Sequence, residues 1–131
     1  MSTKYLTKNP YEEEFGYSRA TRRGPYIFVS GTTSTDPNDP IKPKILFPDS
    51  AYDQTIQIFK EIIRAVEALG GTKGDVTRVR MFVTKEEDGT DVAKALKETF
   101  GDVRPAATMV FGVTFVNPDM RVEIEADAIV I

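Results

Sequence analysis

The chain has 131 residues, 40% of them hydrophobic and 28% charged, which fits one globular domain over residues 1–131 that holds a core without staples. It has no cysteine and no histidine. Disulfides, thiolate nucleophiles, iron–sulfur clusters, sulfur- or imidazole-bound zinc and Ser-His-Asp chemistry are thereby excluded. The formal charge of −3 and a pI near 5.0 argue against a nucleic-acid module and against an anionic-membrane binder.

No window approaches ~18 consecutive apolar residues, so no membrane span is expected. The stretch from Met1 to Tyr11, followed by Glu12, Glu13 and Glu14, has neither the apolar run of a signal peptide nor the basic character of a mitochondrial presequence. A cytoplasmic location follows as the expectation.

In chain order, the first ten residues read as a loosely held lead-in. Residues 18–21 and 26–30 read as two strands, punctuated by Gly24-Pro25 into a hairpin. Residues 31–50, with Pro37, Pro40, Pro43 and Pro48, form a long connection of a length that is often functional or covered by a partner. Ser50 with Asp53 predicts a helix start. Ile56, Phe59, Ile63 and Val66 repeat at helical spacing, and Gly70-Gly71 ends the helix. The run 70–75 (GGTKGD) lacks phosphate-loop spacing and reads as a helix stop with a turn.

Residues 76–83 (VTRVRMFV) alternate as a strand, with Val79, Met81 and Val83 on one side and Arg78, Arg80 and Phe82 on the other. Val92, Leu96 and Phe100 mark a shorter helix ending at Gly101. Residues 107–113 read as a strand, Asn117-Pro118-Asp119 as a turn, and residues 121–131 as a last strand with Glu123, Glu125 and Asp127 on one face. The order β-β-α-β-α-β-β predicts an α+β fold, one sheet with two helices on one face. The other face keeps Tyr26, Phe28 and Phe82 uncovered, which calls for a symmetric oligomer.

The segments GYSRA (16–20), IFVSGTT (27–33), ALGGTKGDVTRVRMFVT (68–84), RPAATMV (104–110) and VEIEADAIV (122–130) together resemble the Rid family. These are the YjgF-like reactive-intermediate deaminases, also known as L-PSP endoribonucleases. The resemblance implies a chorismate-mutase-like fold, a homotrimer with clefts between subunits, and cofactor-free hydrolysis of 2-enamines or 2-imines to 2-keto acids and ammonia.

Carried across residue by residue, the resemblance puts the water-positioning glutamate at Glu123. It puts cleft-lining residues at Tyr17, Ser30 and Gly31, with Ala107, Thr108 and Met109 on the strand that in active relatives reads P-A-R-[ST]. Ala107 stands where those relatives carry the arginine that holds the substrate carboxylate. Arg104, three residues distant along an extended strand, is expected to face away, and position 107 to face one cleft with Glu123 from a neighbouring strand.

Two functions remain open at this point. One is a hydrolase of imine, enamine or related carbonyl compounds, weakened by Ala107. The other is a small-molecule binding or accessory protein that kept the cleft and lost deamination. A ribonuclease is disfavoured by the acidic charge and the lack of imidazole. No metal, cofactor, nucleic-acid or membrane partner is expected. The arginines 19, 22 and 23 read as a solvated strand face.

Overall fold

A computed structural model describes residues 2–39 and 43–131; Met1 and Pro40 of the segments above lie outside them. Among the described residues six strands form one sheet: β1 (Ser2–Tyr5), β2 (Ala20–Arg23), β3 (Tyr26–Thr32), β4 (Val76–Val83), β5 (Ala106–Phe111) and β6 (Val122–Ile129). Their order is β1-β2-β3-β6-β4-β5. Among the described residues β4 and β5 alone pair in parallel, a pairing that needs the helical crossover between them. The helices are α1 (Pro10–Phe15), α2 (Ala51–Ala68) and α3 (Gly89–Phe100). The α+β architecture with its two long helices on one face matches the sequence reading.

The lead-in is a correction. Residues 2–5 pair with β2, Tyr5 opposite Ala20, and they widen the sheet from the expected five strands to six. Asn9 then caps α1, its side chain accepting from Tyr11 N at 3.1 Å, with Pro10 in the first turn and Gly16 at φ 77° behind it. Asn-Pro before and Gly after are ordinary helix punctuation, but a six-residue helix is too short to show a periodicity. The first hairpin strand also lies two residues later than predicted, at Ala20–Arg23.

Helix α2 starts where Ser50 predicts, its hydroxyl accepting from Asp53 N at 3.0 Å. It stops at Gly70, whose φ of 91° needs glycine. Ile58, Phe59, Ile62 and Val66 of α2 and Val92 and Phe100 of α3 are buried against Ile27, Val29, Val79, Met81, Val122, Ile124 and Ala126 of the sheet. Phe59 and Phe100 meet edge to face at 5.0 Å, the arrangement that aromatic quadrupoles favour.

The opposite face is open. Tyr26 and Phe28 are each 50% exposed, with their rings stacked at 6.4 Å. Arg80 crosses this face to Glu125 at 3.3 Å and Asp127 at 3.4 Å. Among the described residues no helix is long and apolar enough to cross a membrane.

The long connection is tethered. Leu46 N donates to Ser34 O at 2.7 Å, Asp36 N to Lys44 O at 2.8 Å, and Ser34 Oγ to Leu46 O at 2.9 Å. Gln54, fully buried at the start of α2, locks it in place. Its Nε2 donates to Leu46 O at 3.2 Å and to Asp119 O at 2.8 Å, and its Oε1 accepts from Arg121 N at 2.9 Å. One amide side chain thus joins the connection to the entry of β6.

Candidate functional site

Strand β6 alternates strictly, with Val122, Ile124, Ala126 and Ala128 buried and Glu123, Glu125 and Asp127 on the open face. The three acids do not share one fate. Glu125 and Asp127 are taken by Arg80. Among the described residues Glu123 has no ion pair within 4.0 Å, and it is partly withdrawn from water. Burial raises its pKa above the usual carboxylate value, the nearby Arg19 guanidinium opposes that rise, and the charge of Glu125 adds to it.

A β-bulge in β3 sets what Glu123 faces. Val29 pairs with Ala126 and Thr32 with Ile124, so three steps along β3 span two along β6 and one residue is extra. The bulge turns Gly31 onto the glutamate. A Cβ at position 31 would lie 3.0 Å from Glu123 Cδ and 3.2 Å from each carboxylate oxygen. Ser30 fixes the bulge from behind, with its hydroxyl donating to Ser18 O at 2.7 Å and its amide to Arg19 O at 3.0 Å.

In front of Glu123 and Gly31 opens a cavity of about 280 Å³, walled also by Tyr11, Tyr17, Arg19, Thr33, Val116 and Met120. Tyr17 is 36% exposed, and its ring lies 5.6 Å from the Arg19 guanidinium carbon, within cation–π range. Of the residues expected at the site, the fold therefore brings Tyr17, Gly31 and Glu123 together. It uses Ser30 to shape the bulge.

Ala107, Thr108 and Met109 lie elsewhere in the chain. Strand β4 separates β5 from β6, so 107 is not on a strand neighbouring Glu123. The register pairs Ala107 with Val79 and Met109 with Met81, on the helix-covered face, while Glu123 pairs with Phe82 on the open face. Met109 packs against the core. The parity argument for Arg104 also falls: it precedes β5 in a left-handed turn at φ 58°, not in an extended strand.

Arg19 was misread as solvated. It is 9% exposed. Arg22 instead donates from Nη1 to Leu69 O at 2.8 Å, at the end of α2. The signal for Arg19 was its place one residue before β2, where side-chain parity is not yet set. Among the described residues no three carboxylates gather as a metal ion would require.

Residues 7–130 match the family described as Endoribonuclease L-PSP. A RutC family protein of Pyrococcus horikoshii is 29% identical over 98% of this chain and 98% of its own. The fold superposes on Rv2704 of Mycobacterium tuberculosis, described as a member of the YjgF/YER057c/UK114 family, with a TM-score of 0.87 at 33% identity, covering 99% of this chain and 100% of that one. It also matches the YjgF product of Escherichia coli with a TM-score of 0.81 at 25% identity, over 97% and 98% of the two chains. With the family profile covering nearly the whole chain and the fold shared end to end, this protein belongs to the endoribonuclease L-PSP family, the YjgF/UK114 group that the sequence segments resemble.

Proposed function

We propose that the recess before Glu123 is a small-molecule site where water adds to an imine or enamine, giving a carbonyl compound and ammonia without a cofactor. The observation that carries this reading is Glu123 itself: a partly desolvated carboxyl beside Gly31, lining a cavity with Tyr17, while the next two acids on its strand face share Arg80. A carboxyl whose pKa is lifted toward working pH suits both taking and returning a proton.

The chemistry needs little more. An enamine first gains a proton on carbon and becomes an iminium. Glu123 takes a proton from water as the oxygen attacks the iminium carbon, and the C=N π electrons move to nitrogen. The carbinolamine so formed receives that proton on nitrogen; as the C–N bond breaks, Glu123 takes the hydroxyl proton, the carbonyl closes, and the proton leaves with ammonia as ammonium, returning to solvent the one the iminium carried. The net change is R₂C=NH + H₂O → R₂C=O + NH₃. Holding water and substrate in contact supplies most of the advantage.

The site is completed by other copies of the chain in this reading. Ala107 and Thr108, exposed on β5, would reach a Glu123 cleft only from a second subunit, because β4 stands between β5 and β6 within one chain. The exposed Tyr26–Phe28 pair supports a homotrimer packed through the open face. The acidic charge supports a small molecule over RNA despite the family's name.

A second reading, a binding or accessory protein without turnover, is favoured by Ala107, which leaves β5 without a guanidinium. Ammonia release from 2-aminoacrylate separates the two. Release above the spontaneous rate supports the hydrolase; the spontaneous rate alone, with pyruvate bound, supports the binder.

A further inference from the structure

We propose that Arg19 is the anion anchor of the Glu123 cleft and gives it a preference for small carboxylates, so that the cation missing from position 107 is supplied by the residue just before β2. This rests on the cleft being a small-molecule site.

The guanidinium is placed rigidly and left largely unused. Its backbone is clamped on both sides, Arg19 N donating to Tyr5 O at 3.0 Å and Arg19 O accepting from Ser30 N at 3.0 Å. The residue is 9% exposed and its side chain 11%. Of its five N–H donors, one bond is made, from Nη2 to Gly31 O at 2.5 Å. Nε is buried without an acceptor. Nη1 forms a loose ion pair with Glu12 at 3.8 Å, too long for a hydrogen bond, and the Glu12 oxygens accept instead from the amide and hydroxyl of Thr7.

A buried arginine with one hydrogen bond is unusual. Guanidinium groups taken out of water are normally paired in full, since an orphaned charged donor is costly. Arg19 lines the cavity in front of Glu123 and also a second cavity of about 320 Å³. The planar fork matches a carboxylate. Gly31 fixes the spacing, since its carbonyl holds Arg19 while the Glu123 carboxyl fills the space beside its Cα that a Cβ would take. A 2-imino or 2-keto acid anchored on Arg19 would thus present its second carbon toward Glu123.

The test uses pyruvate and methyl pyruvate, which differ in the carboxylate charge, titrated into the full-length wild type, Arg19→Gln and Arg19→Lys by calorimetry. In parallel, the arginine Nε–H resonances of the wild type are followed by NMR, a readout that survives if either variant fails to fold. Expected are tighter binding of pyruvate than of its ester, a loss on the order of tenfold or more in Arg19→Gln, a smaller loss in Arg19→Lys, and a pyruvate-dependent shift of the Arg19 Nε–H signal. Equal affinity for the two compounds with the Arg19 signal unmoved, or a shift confined to another arginine, would overturn the assignment and leave the cleft reading standing. Binding of neither compound would overturn both.

Discussion

Gly31 and Glu123 are in direct contact: the space that a Cβ at 31 would need is filled by the Glu123 carboxyl, 3.0 Å from its carbon. Gly31 sits in the β3 bulge with no left-handed φ, so its backbone conformation is open to other residues. The requirement for glycine here is space.

Gly31→Ala should therefore fold, with a loss of about 1 kcal/mol from crowding. It should lose far more in turnover, on the order of 100-fold, because the carboxyl is displaced from its working position. Denaturant unfolding beside imine hydrolysis separates the two effects. A variant with full activity would show that the contact does not position the glutamate.

Glu123 should cost the fold stability at neutral pH. Its folded pKa is raised, chiefly by burial, so the folded state favours the protonated form. The stability difference is absent below the unfolded pKa, where both states are neutral, and grows as pH rises through the folded pKa. Glu123→Gln should thus melt higher than wild type at pH 7, on the order of 2 °C, with the two melting alike near pH 4. A Tm difference that is the same at both pH values would contradict the burial account.

Gln54 should carry more stability than its exposed neighbours on α2. It makes three hydrogen bonds to backbone groups of the long connection and of the segment entering β6. Gln54→Leu keeps the volume and orphans those groups, so a loss of about 2–4 kcal/mol is expected in urea unfolding. The 31–50 connection and Arg121 should gain hydrogen exchange first.

Much of this was legible in the sequence, and the reasons are local. Val79, Met81 and Val83 alternate, and residues 76–83 are a strand with those bounds. Ser50 and Gly70 punctuate α2 as read. The resemblance placed Tyr17, Gly31 and Glu123, and the fold brings them to one cavity. Hidden features are those set by pairing between distant segments. Strand order put β4 between β5 and β6, separating Ala107 from Glu123, and no periodicity encodes strand order. Arg19 is buried by Tyr5, Gly31 and Glu12, residues that the chain brings together only after β1 joins the sheet. A four-residue strand ahead of a short helix left too faint a pattern to foresee that.

Phe28 offers a test of the open face. It is 50% exposed and stacked on Tyr26, and burying such a pair between copies is worth roughly 2–3 kcal/mol per ring. Sedimentation equilibrium should give wild type at three times the 14.6 kDa chain mass, and Phe28→Glu should dissociate it. A wild-type monomer at micromolar concentration would remove the basis for a shared cleft.

The central claim is that Glu123 drives water addition to an imine, and one comparison tests it most directly. 2-Iminopropionate is generated in place by an amino-acid oxidase acting on alanine, and its conversion to pyruvate is timed with wild type and with Glu123→Gln, an isosteric change that removes the proton acceptor. Wild type should accelerate the conversion over the spontaneous rate, and the variant should lose on the order of 100-fold to 10,000-fold of that acceleration while binding pyruvate within a few-fold of wild type. A variant as fast as wild type, or a wild type no faster than water, would contradict the account.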